Sequence, residues 1–401
     1  MTARAHVGMT TIDARGNLHD GAGQFSEKSN SEPAAGLASR HRDDDRAQRP
    51  FEEIQLGDEG QRLALTAALT GEPVLIVADD TQHDDAVALV HAIARLRGGP
   101  IETLDSSASL PSLVGGGPAA NWEGRPQRIG TRTPGGEWTI ELGVGDARIE
   151  KLADDKFLAF DRDGVQLGGH FATRAQAQST VASSLIQPGA IARADGGVLL
   201  LEDVTDFAPS ALDALRQPME TGQLSIARAS STRTFPAKVQ VAMVASPCPC
   251  GHAASCQCTP FAKRRHLSRI SGPLLDRSTN RLRAGGPGSS GRGSLTEADA
   301  RQVLARAKEA DAAAASRLAA AFGRDDARSL NDFTAAEVRR YTAEIAPERL
   351  TGLDRALERG VITLRRYDKT VRKAWAYAAL DGTSEPPTDR HFDEAVRSLG
   401  I

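Results

Sequence analysis

The run Gly196-Gly-Val-Leu-Leu-Leu-Glu-Asp203 is the strongest constraint on what this chain can fold into. Four apolar residues without polar alternation, entered through two glycines and closed by two acids, read as a strand buried inside a sheet. Pro73-Val-Leu-Ile-Val77 and Val239 to Ala245 have the same character. Amphipathic patterns over Glu59 to Leu69, Asp84 to Leu96 and about Pro209 to Glu220 read as helices between and beside these strands. Strand–loop–helix order of this kind predicts an α/β core with a largely parallel sheet.

Around that core the composition changes. Residues 1–49 are polar, rich in Gly, Ser, Asp and Arg and without period, and are expected to be a disordered arm. Residues 50–283 carry the α/β pattern, interrupted at 119–184 by short strand signals at Trp138 to Leu142, Arg148 to Leu152, Phe157 to Phe160 and Val165 to Leu167, then a helix from Thr173 to Leu185. This reads as a small β-rich insert. A Gly/Ser stretch at 284–294 is expected to be a flexible linker, and 295–401 reads as an all-helical domain. The net charge of −3 gives no global case for nucleic-acid binding, so any such case rests on local patches. No apolar run reaches the roughly 18 residues of a membrane span, and the N-terminus lacks the order of a signal peptide. The expected location is cytoplasmic, with no membrane partner.

A buried strand that delivers acids at its carboxyl edge is how P-loop ATPases place a magnesium-binding carboxylate beside a water-polarising one. Alone the pattern is weak, because many strands end in a polar turn. The surrounding residues make it specific. Pro188 to Phe207, Ala214 to Arg228, Thr234 to Ala237, Ser246-Pro-Cys-Pro-Cys-Gly251 and Ser271-Gly-Pro-Leu-Leu-Asp-Arg277 resemble, in order, the Walker B region and its sequel in magnesium-chelatase-like AAA+ proteins of the ComM/YifB competence-helicase branch. Ser109 to Gly117 resembles the same family upstream, and Leu330-Asn331, Glu337 to Tyr341 and Ile362 to Leu380 resemble its helical lid. The resemblance implies an AAA+ P-loop-type core, a C-terminal all-helical lid, and a hexameric ATPase moving on DNA. Residue by residue, Glu202 and Asp203 match the Walker B acids with their order exchanged. Ser246 matches sensor 1, Arg277 the arginine finger and Arg365 the sensor 2 arginine.

One departure decides the functional expectation. Where the family has a glycine-rich loop with Gly-Lys-Thr after the first strand, this chain has Ala78-Asp-Asp-Thr-Gln-His-Asp-Asp85, with Asp84 at the place of the lysine and Asp85 beside it. Two like charges about 4 Å apart at an effective dielectric near 20 repel by ~4 kcal/mol, and several would face a triphosphate here. Ordinary binding of ATP with magnesium is therefore expected to be lost. The family's amino-terminal Lon-like domain has no counterpart in the first 50 residues, and the 119–184 insert is foreign to the pattern. That insert is either decoration or a partner-binding surface, which would make the chain an adaptor.

All four cysteines, Cys248, Cys250, Cys256 and Cys258, fall within eleven residues. Four thiolates make a tetrahedral structural zinc site, with His252 as a substitute ligand; the other reading is four reduced thiols in a loop. Residues 219–238 are expected to form the hairpin that points into the family's central pore, where Arg228, Arg233 and Lys238 would meet DNA phosphates; the other reading is ordinary surface charge. Lys263-Arg-Arg-His266 is a second basic run, for DNA, a subunit contact or solvent. Three functional expectations stand: a degenerate, DNA-associated AAA+ protein assembling as a homo-hexamer or with a competent relative, an active hexameric DNA motor that binds nucleotide without a standard loop, or a non-catalytic adaptor that works through the 119–184 insert.

Overall fold

The computed structural model describes residues 11–12, 18–19, 45–116, 139–142, 148–152, 156–160, 166–184, 187–228, 231–252, 255–286, 288–325 and 327–399. Most of the expected disordered arm lies outside these residues. Arg46–Ile401 forms one compact unit.

In chain order that unit opens with α1 (Gly57–Thr70), β1 (Val74–Val77), α2 (His83–Arg97) and β2 (Ile101–Leu104). The insert follows, with β3 (Thr139–Leu142), β4 (Arg148–Lys151), β5 (Phe157–Phe160) and α3 (Arg174–Ser184). The core resumes with β6 (Val198–Leu201), α4 (Pro209–Ala214), the hairpin β7 (Gln223–Arg228) and β8 (Ser231–Pro236), β9 (Gln240–Ala245), α5 (Pro260–Leu267), α6 (Gly272–Arg277) and β10 (Asn280–Arg283). The helical end comprises α7 (Glu297–Phe322), α8 (Ala335–Ile345), α9 (Pro347–Glu358), α10 (Leu364–Leu380) and α11 (Asp389–Leu399).

The main sheet has five strands in the order β10-β1-β9-β6-β2, and every pairing is parallel. Its apolar runs lack alternation because both faces are covered. Val198 and Leu200 of β6, with Val74 and Ile76 of β1, pack with α1, α2 and the C-terminal helices; Leu199, Leu201 and Leu75 pack into a second core with Phe207, Leu212 and Ile270. The glycines that start β6 have a physical reason. Gly196 sits at φ 76°, and a Cβ on Gly197 would collide with the carbonyl of Pro100, which accepts the first hydrogen bond of the strand from Val198.

Two features differ from the sequence reading, and a third shows how the expected lid packs. The single helix expected over Pro209 to Glu220 is two short ones, Pro209–Ala214 and Arg216–Thr221. Pro218 has no N–H, and its ring would clash with the carbonyl four residues back at Ala214, where the first helix stops. The glycine-rich 284–294 stretch is pinned along α1: Gly57 N donates to Gly291 O, Glu59 N to Gly288 O, and Leu295 N to Gln61 Oε1. The lid helices do not stand apart either. Leu304, Leu318, Val371 and Trp375 share one hydrophobic core with α1 and α2, because the helices' apolar stripes have that sheet face to cover.

The insert builds its own small core from Ile149, Ala159, Ala177 and Val181, with Phe157, Leu167 and Phe171 against it. Its strands are antiparallel in the order β3-β4-β5, and α3 lies over them.

Candidate functional site

Strand order places a switch point at the carboxyl ends of β1 and β9: the chain leaves β1 for the far edge at β2, returns through β6 and β9, and crosses β1 to reach β10. Ligands of open α/β sheets bind in that crevice. Three of the sequence-derived features meet there: the acidic loop after β1, the acid pair after β6, and Ser246 after β9.

Three of the loop's amide groups are already used. Asp80 N donates to Gly251 O at 3.0 Å, Gln82 N to Asp79 O at 3.1 Å, and Thr81 N to Asp79 Oδ1 at 3.0 Å. In a phosphate loop these are the groups that cradle oxygens. At the start of α2, Asp85 is buried and accepts from Arg49 Nη1 at 2.8 Å and from the Gln55 amide at 2.9 Å. A helix N-terminus favours a negative charge, and here the chain supplies its own carboxylate.

Glu202 is reached by two cations. Arg46 Nη1 donates to Glu202 Oε2 at 3.0 Å, and the same nitrogen lies 3.5 Å from Asp84 Oδ1. His83 Nε2 is 3.5 Å from Glu202 Oε2, and its Nδ1 is 4.0 Å from Asp203. Burial pushes the Glu202 carboxyl up, but the hydrogen bond from His83 and the charge of Arg46 outweigh it and hold it below its ordinary value. His83 is correspondingly raised, chiefly by its bond to Glu202. Arg46 and Arg49 fall in the stretch expected to be a disordered arm; they are ordered because the acids at 84, 85 and 202 give them partners, and Arg95 also donates to the carbonyls of Ala47 and Arg49. Composition could not reveal this, since the pairing spans 156 residues for Arg46 and Glu202.

Asp203 is the one described non-glycine residue at positive φ, 50°. Aspartate tolerates the left-handed region better than glutamate, a physical reason for the exchanged order of the two acids. Glu202, the inner acid, meets Arg46 and His83, while the Asp203 side chain is 51 % exposed.

Ser246 Oγ is 3.0 Å from His266 Nε2, which also lies 3.0 Å from Thr205 Oγ1. His266 is buried and its pKa is lowered by that burial, so the basic run at 263–266 exposes Arg264 and Arg265 while the histidine turns inward. Arg277, at the end of α6, is ion-paired with Glu220 and donates from Nη1 to Pro273 O at 2.9 Å. Burial and the charge of Arg365, from α10, lower its pKa. The described contacts of Glu202 include neither.

The four cysteine Sγ atoms lie within 4.8 Å of one another, with Cys248 3.3 Å from Cys250 and 3.4 Å from Cys256. Zinc–sulfur bonds of about 2.3 Å in a tetrahedron put sulfurs roughly 3.8 Å apart, so the donor set fits a metal of that kind. In the metal-free cluster, burial pushes the Cys248 thiol up to about 12, while the Cys258 backbone amide holds Cys256 down to about 6. The loop is tied to the acidic loop by His252 Nδ1 and Asp80 Oδ2 at 2.9 Å as well as by Gly251.

The hairpin forms in full register from Gln223↔Pro236 to Arg228↔Ser231. Arg233 lies over the Phe235 ring at 4.8 Å, and Lys238 is exposed just beyond the hairpin; the Arg228 side chain lies outside the described residues.

A five-stranded parallel sheet with acids at strand ends and a C-terminal helical lid is consistent with an AAA+-type core. Comparison with known proteins agrees. Residues 170–285 match the family model described as magnesium chelatase, subunit ChlI. An uncharacterized protein of Mycobacterium tuberculosis is 36% identical over 214 residues, 52% of this chain and 41% of the relative. Escherichia coli YifB, also uncharacterized, is 42% identical over 92 residues, covering 22% of this chain and 18% of that protein. The competence protein ComM of Haemophilus influenzae is 42% identical over 93 residues, 23% and 18% respectively. These matches make part of the chain similar to magnesium-chelatase-like proteins, YifB and ComM among them. The chain spans about two fifths of the length of the mycobacterial relative it matches. Among the described residues no helix is long and apolar enough to cross a membrane.

Proposed function

We propose that this chain is a degenerate AAA+ protein that does not hydrolyse ATP and acts in association with DNA. One observation carries the first half: the nucleotide position is filled by the chain's own groups. Arg46 supplies the positive charge that a magnesium ion would bring to Glu202, Asp85 supplies the negative charge that a phosphate would bring to α2, and three of the loop amides are engaged. A triphosphate would have to displace these contacts and then face Asp79, Asp80, Asp84 and Asp85. If magnesium did bind, Glu202 would be its ligand and Asp203 the outer acid.

DNA association rests on the formed hairpin with Arg233 and Lys238, together with Arg228 in its sequence, and on the competence name of one relative. The cysteine cluster is read as a structural zinc site that holds the 248–258 loop against the remnant of the phosphate loop. The match of Arg277 to the family's arginine finger and of Arg365 to its sensor 2 arginine is what supports reading a hexamer, with itself or with a competent relative. For Arg277 to reach out, its pair with Glu220 has to open.

The test is calorimetric titration of purified protein with ATP and magnesium, followed by phosphate-release assays. No magnesium-dependent binding and no turnover is the expected result. Stoichiometric binding that Glu202→Gln abolishes would sink the reading and favour the active motor.

A further inference from the structure

A second crevice lies at the opposite edge of the sheet from the acid pair. It opens between α1, the start of β10 and the helices α10 and α11, with a volume of about 590 Å³, within the roughly 300–1,000 Å³ of small-molecule sites. Asn280, which opens β10, pairs with Val74, which opens β1, so the crevice sits at the amino ends of the strands.

A buried amine lines it. Lys373 is 3 % exposed, and its described hydrogen bond is to a neutral acceptor, Thr279 O, at 2.7 Å. One turn earlier on α10, Lys369 Nζ is buried with no hydrogen-bond partner, in a small adjoining cavity that shares Arg281 with the first. Neither amine has a carboxylate at ion-pair distance among the described residues. Buried ammonium groups are kept only when something compensates them. Burial has already lowered both to about 8. The buried Asn280 Oδ1 is also without a partner. Around them, Arg62 is matched by Glu394 at 2.8 Å and so cancels, while Arg281, Arg390 and Arg397 add positive charge from β10 and α11. The α1 wall differs: it carries Asp58 and Glu59.

We propose that this crevice binds a small phosphate monoester bearing hydroxyl groups, of the sugar-phosphate class. Lys373, Arg281 and Arg397 take the phosphate oxygens, and the carboxylates of Asp58 and Glu59 accept from the hydroxyls. A free macromolecular phosphate chain does not suit the site, because the amine is set inside a concavity rather than on a face. The assignment is independent of the state of the nucleotide position.

The experiment is calorimetric titration of the full chain, without magnesium, with ribose 5-phosphate, inorganic phosphate and ribose. Ribose 5-phosphate is expected to bind, inorganic phosphate more weakly, and ribose not at all. Lys373→Met should lower affinity at least about tenfold. It should also keep the fold, since methionine fills the same path without a charge to bury. Arg397→Ala, on the exposed rim, is the second variant and should weaken binding without any folding question. Absence of ribose 5-phosphate binding, or binding that Lys373→Met leaves unchanged, would overturn the site. Equal affinity for inorganic phosphate would overturn the hydroxyl recognition.

Discussion

Replacing Arg46 by methionine takes away the main counter-charge of Glu202 while keeping most of the side chain's apolar bulk. The guanidinium nitrogen is 3.0 Å from the carboxylate, and the two side chains are 9 % and 12 % exposed. At an effective dielectric near 20 the attraction is about 5.5 kcal/mol, before desolvation of either group is counted. The contact with Asp84 adds little, because that carboxylate is about half exposed and screened. Breaking one partner of a largely buried pair strands the other, so the expected net loss is about 2–3 kcal/mol where Glu202 has no second cation. His83 decides where that is. The Glu202 carboxyl is depressed from 4.5, so its contribution is present above that value and lost as pH falls through the lower folded one. His83 is raised from 6.5, so its charge is present below that value and lost as pH rises through the higher folded one. Between the two, protonated His83 still serves Glu202 in the variant. The destabilisation of Arg46→Met should therefore be largest above the raised pKa of His83, smaller below it, and should fade as pH falls through the depressed pKa of Glu202. Urea unfolding of both proteins across that range measures it. A variant within about 0.5 kcal/mol of the parent at every pH, or a difference that persists unchanged after Glu202 is protonated, would refute the charge argument.

Other consequences follow from the same structure. Cys248→Ala should abolish bound zinc, measured by mass spectrometry of the metal content, and chelation of the parent should lower its melting temperature and leave the variant's unchanged. Leu200→Ala removes a fully buried side chain from the central sheet and should cost about 2–5 kcal/mol in urea unfolding, far more than any substitution on the insert surface. Arg233→Ala and Lys238→Ala should each weaken DNA binding across all sequences and reduce the slope of log affinity against log salt by about 1. An unchanged slope would separate the hairpin from the phosphates.

Much of the fold was legible because buried strands and amphipathic helices write their periods locally. Val198 to Leu201, Val74 to Val77 and Gln240 to Ala245 could be read as inner strands from apolar runs alone, and the acids at 202–203 from their place at a strand end. The clustering of cysteines within eleven residues likewise announced a shared site. The break at Ala214 was legible in principle from Pro218, though the amphipathic pattern ran across it. Other facts depend on pairs far apart in the chain. Nothing near Arg46 shows that its guanidinium will meet Glu202, nothing in the glycine-rich 284–294 stretch shows that α1 will hold it, and nothing around His266 shows that it turns inward to Ser246 and Thr205. The sequence by itself determined the element types, the sheet's buried strands and the acidic, lysine-free character of residues 78–85, because these follow from local sterics, period and residue chemistry. Only the tertiary structure decided which cations meet the acids at 84, 85 and 202 and which amines have no carboxylate at ion-pair distance among the described residues, because charge compensation depends on distances that a linear order does not contain.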